Sequence, residues 1–279
     1  MPQTAHRIVL LLLLLAATGA MACASSEDDK SVNYALSAKQ NYQRGLDELK
    51  DENYVEAARY FTYVKQKFAF SKYAGLAELA LADTEFARGN YQEAIDSYKS
   101  FARLHPTHEK VTDGYVAFRI AECFVKEMPD DFFILPPAYE KDQSAVRDAL
   151  RELDRARKKY PDSPYAKEAK AYRRDVLRRL IEHEVYVARF YLDRGHPKAA
   201  ILRIDAALQR YPDSGQEGEL MLALGETHLE MGNPASAKQV FERVKNKFGS
   251  ELQVKRAELF LAFIRERFGE NPVDKTPNG

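Results

Sequence analysis

The chain has 279 residues, 45% hydrophobic and 30% charged, with 42 Lys and Arg balanced by 42 Asp and Glu. That length and apolar content allow a sizeable buried core, and the zero net charge argues against bulk binding to nucleic acid. Neither tryptophan nor a cysteine-rich framework is present, since the chain holds only two cysteines.

At the N-terminus His6-Arg7 precedes an unbroken apolar run from Ile8 to Ala17. This run is too short to cross a bilayer and suits the core of a signal peptide, so residues 1–22 are expected to stand outside the fold. It ends in Ala20-Met21-Ala22-Cys23, and small residues one and three places before the cysteine resemble a bacterial lipobox. Lipid on Cys23 would tether the chain to a membrane, each buried methylene contributing about 0.8 kcal/mol; ordinary cleavage after Ala22 is the rival reading. Ala24, where an Asp is absent, fits export to an outer membrane. A lipidated Cys23 leaves Cys123 without an intramolecular partner, and Cys123 then reads as buried apolar filler. The polar residues 23–33 are expected to form a lipidated flexible tether.

The first repeat signal follows. Asn53-Tyr54-Val55-Glu56-Ala57 returns 37 residues later as Asn90-Tyr91-Gln92-Glu93-Ala94. Phe61 and Val64 follow the first alanine at i+4 and i+7, and Tyr98 and Phe101 follow the second, which places them on one helix face. Small anchors at a helix crossing let two axes approach to roughly 8–10 Å. The same frame continues as Ala149, Leu153, Ala156 and Pro161, then Ala200, Ile204, Ala207 and Pro212, and more weakly as Ala237, Phe241 and Val244 with Gly249 in the proline's place. Twelve residues before the anchors stand Gly45, Ala82, Ala188 and Gly225, small residues for close packing. The pattern predicts an all-α tetratricopeptide-repeat solenoid of about five helical hairpins.

Two of the anchor spacings, 55 and 51, are long. The first is explained by residues 127–143, an insertion loop whose Pro129, Pro136 and Pro137 forbid a single helix. The second has no proline or glycine between Tyr165 and Arg194 and predicts one helix of about thirty residues, roughly 45 Å long. The N-terminal repeat region is therefore expected at 34–126 and the C-terminal one at 144–268. Residues 269–279, with two prolines and two asparagines, are expected to be a disordered tail.

No glycine-rich phosphate loop, Gly-x-Ser-x-Gly elbow, Cys-x-x-Cys or His-Glu-x-x-His occurs, which argues against an enzyme, a metal site or a cofactor. His105-Pro106-Thr107-His108 reads as a repeat-closing turn, with a metal pair as the rival. His183, between Glu182 and Glu184, reads as a packed or exposed histidine, with a general base as the rival. Phe68, Phe70, Tyr73, Tyr115 and Phe118 fall outside the repeat frame and are candidates for gripping a peptide, against core packing. Arg147 to Arg179 carries 12 Lys or Arg against 6 Asp or Glu. It reads as a solvated helix face or as a basic surface for anionic lipid or an acidic partner.

Three stretches make a family resemblance specific: Arg103-Leu104-His105-Pro106-Thr107-His108, Tyr160-Pro161-Asp162-Ser163-Pro164-Tyr165-Ala166, and the segment from His183 to Gly195. With five repeats, a lipobox and the long helix, the chain from about Ala38 to Phe248 resembles the BamD (YfiO) family. The resemblance implies a noncatalytic lipoprotein on the periplasmic face of the outer membrane, part of the machinery that folds and inserts β-barrel proteins. It implies as partners a POTRA-containing β-barrel subunit, unfolded outer-membrane proteins and other assembly lipoproteins. It also implies a substrate groove at Phe70, Ser71, Tyr73, Arg103, His105 and Tyr115. Phe68-Ala69 stands where Tyr-Pro is usual before the groove phenylalanine. Partner docking is implied for Arg194 and Arg203, with an ion pair to Asp205 or another local acid as the rival reading for Arg203. On the docking reading, Arg203→Glu weakens docking without unfolding the chain. A periplasmic scaffold lipoprotein coordinating cell-wall enzymes is the other reading of the same fold.

Overall fold

A computed structural model describes residues 33–129 and 136–275; the expected signal peptide and Cys23 lie outside the described residues. Among the described residues twelve α-helices follow one another: α1 Ala38–Lys50, α2 Tyr54–Lys67, α3 Lys72–Ala87, α4 Tyr91–Leu104, the short α5 Glu109–Thr112, α6 Tyr115–Lys126, α7 Ser144–Lys159, α8 Ala166–Asp193, α9 Pro197–Arg210, α10 Glu217–Glu230, α11 Pro234–Arg243 and α12 Glu251–Phe268. They form five antiparallel hairpins, α1/α2, α3/α4, α6/α7, α8/α9 and α10/α11, with α12 closing the stack.

The anchors stand where the repeat frame requires. Ala57, Ala94, Ala149, Ala200 and Ala237 are all 0% exposed, and so are Phe61, Tyr98, Ile204 and Phe241 four residues after four of them. Gly45 faces the Phe61 ring so closely that a Cβ would sit 2.6 Å from it, and at Gly225 a Cβ would meet Phe241 at 2.5 Å. Absence of a side chain there is what lets a full phenyl ring fill the crossing, a burial contributing about 1.5–3 kcal/mol.

The first helices of successive hairpins touch, α1 with α3, α6 with α8, α8 with α10 and α10 with α12, and form one layer of the solenoid. The second helices form the other. Helix α8, 28 residues long and roughly 42 Å end to end, packs on α6 and α7 with one part and on α9 and α10 with the other. Its length bridges the two halves. Among the described residues, no helix is long and apolar enough to cross a membrane.

Three segments depart from the simple pattern. The flanks of the insertion are pinned: His183 Nδ1 donates to the Tyr139 carbonyl at 2.6 Å, Arg179 donates to the Pro129 carbonyl at 2.5 Å, and Tyr139 packs on Tyr186. His183 is thus occupied in holding the insertion. Where the fifth repeat has Gly249 in place of proline, α11 runs on through Val244–Phe248 in wider i→i+5 turns, and Gly249 N–H donates to the Val244 carbonyl. The expected disordered tail is corrected for residues 270–275. Asp274 accepts from the Ala235 and Ser236 amides at 2.7 and 3.1 Å, Lys238 Nζ donates to the Glu270 carbonyl, and the tail caps α11.

Candidate functional site

At the end of α2 the chain turns through Phe68-Ala69-Phe70-Ser71. Ser71 N–H donates to the Phe68 carbonyl at 2.8 Å, and Ser71 Oγ accepts from the Tyr73 amide at 3.2 Å, which caps α3. This tight closure pushes Phe70 outward, and its side chain is wholly exposed. Beside it opens a recess of about 730 Å³ lined by Phe70, Ser71, Lys65, Gly75, Glu78, His105 and His108, among others. Glu78 ties its walls together, accepting from Lys65 Nζ at 3.2 Å and bonding His105 Nε2 at 2.5 Å. Against the upward push of burial, hydrogen bonds from His105 and Lys65 hold the Glu78 carboxyl below its ordinary range. The His105 and His108 rings both pack on Phe101, and His108 Nδ1 accepts the Lys110 amide. These contacts match the turn reading of the two histidines.

Of the six groove residues expected from sequence, Phe70, Ser71 and His105 meet in this recess, while Tyr73 does not line it and packs on Tyr42 in the first-repeat core. Arg103 points elsewhere on the exposed face of α4, within 3.4 Å of Ser100 Oγ. Tyr115 is drawn inside. Its hydroxyl donates to Asp83 Oδ1 at 2.7 Å, and the Tyr98 hydroxyl donates to the same oxygen at 2.5 Å. Arg119 Nε donates to Tyr98 and its Nη1 to Glu122 at 2.8 Å, while Tyr172 donates to the other Glu122 oxygen. The Arg119 guanidinium lies 3.5 Å from the Phe86 ring centre. Burial pushes the Asp83 carboxyl up despite its donors, and burial pushes the Cys123 thiol up to about 12. This network fastens α3 and α4 of the second repeat to α6 and α8. Asp83, Arg119, Glu122 and Tyr172 carry no sequence signal, because no common period relates them and their partners stand 3 to 50 residues away.

In the C-terminal half Arg194 is exposed and stacks 3.8 Å over Phe190, itself half-exposed. Arg203 takes the local ion pair, with Glu184 of α8 as its acid in place of Asp205. Glu184 is only 4% exposed and also receives Arg210 at 3.5 Å. With this buried partner, Arg203→Glu is expected to cost stability as well as docking. Within the basic run, five of the twelve cations pair with carboxylates of α7 and α8, as Arg151–Asp148, Arg155–Glu152, Arg157–Asp154, Arg173–Asp154 and Arg178–Glu182. On the first-helix layer, a second recess of about 570 Å³ runs between α8, α10 and α12, walled by Tyr139 and Tyr186.

A family model described as "YfiO: Outer membrane lipoprotein" matches residues 34–244. The chain belongs to the YfiO family. The match begins just before α1 and ends with α11, so the YfiO region takes in all five hairpins and leaves α12 and the capping tail beyond it. A curated YfiO-type relative, "Outer membrane protein assembly factor BamD" of Caulobacter vibrioides, is 27% identical over 71% of this chain. The chain spans 62% of that relative's length. The protein of the same name from Neisseria meningitidis serogroup A is 25% identical over 77% of this chain and 82% of its own. A thermophilic TPR protein of Thermus thermophilus aligns with 81% of this chain and 100% of its own at 16% identity, with a TM-score of 0.35.

Proposed function

We propose that this chain is a noncatalytic, lipid-anchored factor of outer-membrane protein assembly that acts by binding. The observation that carries the reading is the YfiO match across every repeat, joined to relatives whose name is outer membrane protein assembly factor BamD. The lipid would sit on Cys23, with residues 23–33 as the tether from the periplasmic face of the outer membrane.

In this reading the N-terminal recess receives apolar segments of unfolded outer-membrane proteins. A wholly exposed Phe70 beside an open cavity of about 730 Å³ suits an apolar side chain arriving in extended chain. The C-terminal repeats dock the POTRA region of the β-barrel subunit through the exposed Arg194 and the rim of Arg203, whose fork geometry matches a carboxylate. Other assembly lipoproteins would join the same complex. Depleting the protein is expected to lower the amount of β-barrel proteins in the outer membrane. Altered cell-wall cross-linking with barrel levels intact would overturn the reading in favour of a cell-wall scaffold.

A further inference from the structure

Between the second helices of repeats two and three, α4 and α7, the outer layer parts and exposes α6 beneath it. The cleft measures about 610 Å³, inside the ~300–1,000 Å³ range of built binding sites. Its floor is apolar and recessed: Val116, Ala117 and Ile120 of α6 lie between Ala102 of α4 and Ala156 of α7, with Val116 only 2% exposed. Small residues on both walls are what leave the space open.

The rim has the opposite character. Lys99 stands on one wall and Arg155 and Lys159 on the other, with Arg103 one turn on from Lys99. The α7 wall carries its two cations at i and i+4, a row running along its helix. Among the described residues Glu152 is the one acid lining the cleft, and Arg155 takes it at 2.6 Å. Among the same residues Lys99 and Lys159 have no carboxylate partner; the Lys159 ammonium lies 5.0 Å from the Tyr160 ring, and Arg103 has only Ser100. Two unneutralised cations, Lys99 and Lys159, therefore stand on opposite walls of an apolar trench.

We propose that this cleft docks an amphipathic helix of another polypeptide, one whose apolar ridge is flanked on both sides by Asp or Glu. Helix-in-groove binding seats anchors at i, i+3, i+4 and i+7 in such a floor, and the flanking carboxylates then meet Lys99 on one wall and Lys159 on the other. Complementary charge of this kind fixes register and speeds encounter. A bilayer surface fits less well, because the apolar floor lies below the cations and acyl chains could not reach it without the headgroups entering first.

The test uses the full chain in detergent and a fluorescein-labelled peptide of about 14 residues, four helical turns, with a leucine ridge and glutamate flanks. Anisotropy is expected to report binding that weakens as salt rises and is lost by about tenfold or more in Lys99→Glu with Lys159→Glu. Ala117→Trp, which fills the floor and leaves every cation in place, is expected to weaken it similarly, with circular dichroism showing both variants folded. Absence of binding, equal binding to a lysine-flanked peptide, or wild-type affinity in both variants would overturn the proposal. Phosphatidylglycerol vesicles that bind through Lys99 and Lys159 and displace the peptide would overturn it in favour of a lipid site.

Discussion

Arg203→Glu brings a second carboxylate against Glu184, whose side chain is 4% exposed, and leaves only Arg210, at 3.5 Å and half-exposed, to offset it. Two like charges about 4 Å apart at an effective dielectric of about 20 repel by about 4 kcal/mol. Arg210 and the partial exposure of position 203, which lets the new side chain turn toward solvent, reduce that. We expect a loss of about 2–4 kcal/mol, a large share of the ~5–15 kcal/mol that holds a typical domain. In a chain of this size the loss corresponds to a fall in melting temperature of roughly 4–16 °C. Adding Glu184→Gln removes the repulsion and is expected to recover at least about 1 kcal/mol, measured as the coupling in a double-mutant cycle. The assay is urea unfolding followed by far-ultraviolet circular dichroism, run beside co-purification scored per folded molecule. A wild-type midpoint for Arg203→Glu, or a double variant no more stable than the single one, would refute the buried pair. Loss of co-purification in a variant restored to wild-type stability would then belong to docking alone.

Gly45→Ala places a methyl 2.6 Å from the Phe61 ring and is expected to cost about 1–3 kcal/mol in urea unfolding, with Phe61→Leu in the same chain returning part of it. Asp274→Ala removes the cap from the Ala235 and Ser236 amides and is expected to cost about 0.5–2 kcal/mol, with hydrogen exchange rising first at the start of α11. Burial lowers the His228 pKa below 6.5, against the opposing pull of Asp274 and Asp205. The unfolded chain therefore takes up this proton at higher pH than the folded one. Stability is expected to fall as pH drops below about 6.5, and His228→Gln should flatten that slope; an unchanged slope would assign it to other groups.

The repeat frame was readable because a solenoid writes its packing in local periods. Ala57 and Phe61, or Gly45 twelve residues earlier, belong to one hairpin, and their spacing is fixed by helix geometry alone. The long helix was readable from the absence of breakers over Ala166–Asp193. The Phe70 turn and His105 were readable for the same reason, as punctuation between helices. The place of Tyr115 away from the Phe70 recess is not legible, because it depends on Asp83, 32 residues before it, and no pattern in either helix announces that bond. Arg203 and Glu184 sit on adjacent helices, but which acid an arginine takes depends on burial that sequence spacing does not give. Residues 269–279 read as disordered by composition, and within them 270–275 are held by Asp274 finding the free amides of a helix start.

Whether this solenoid works in outer-membrane protein assembly by binding partners is decided by crosslinking the tagged protein in its own envelope and identifying what purifies with it. Recovery of a POTRA-containing β-barrel subunit is expected, with crosslinks falling on the C-terminal repeats. Recovery of cell-wall synthases or hydrolases without that subunit would contradict it.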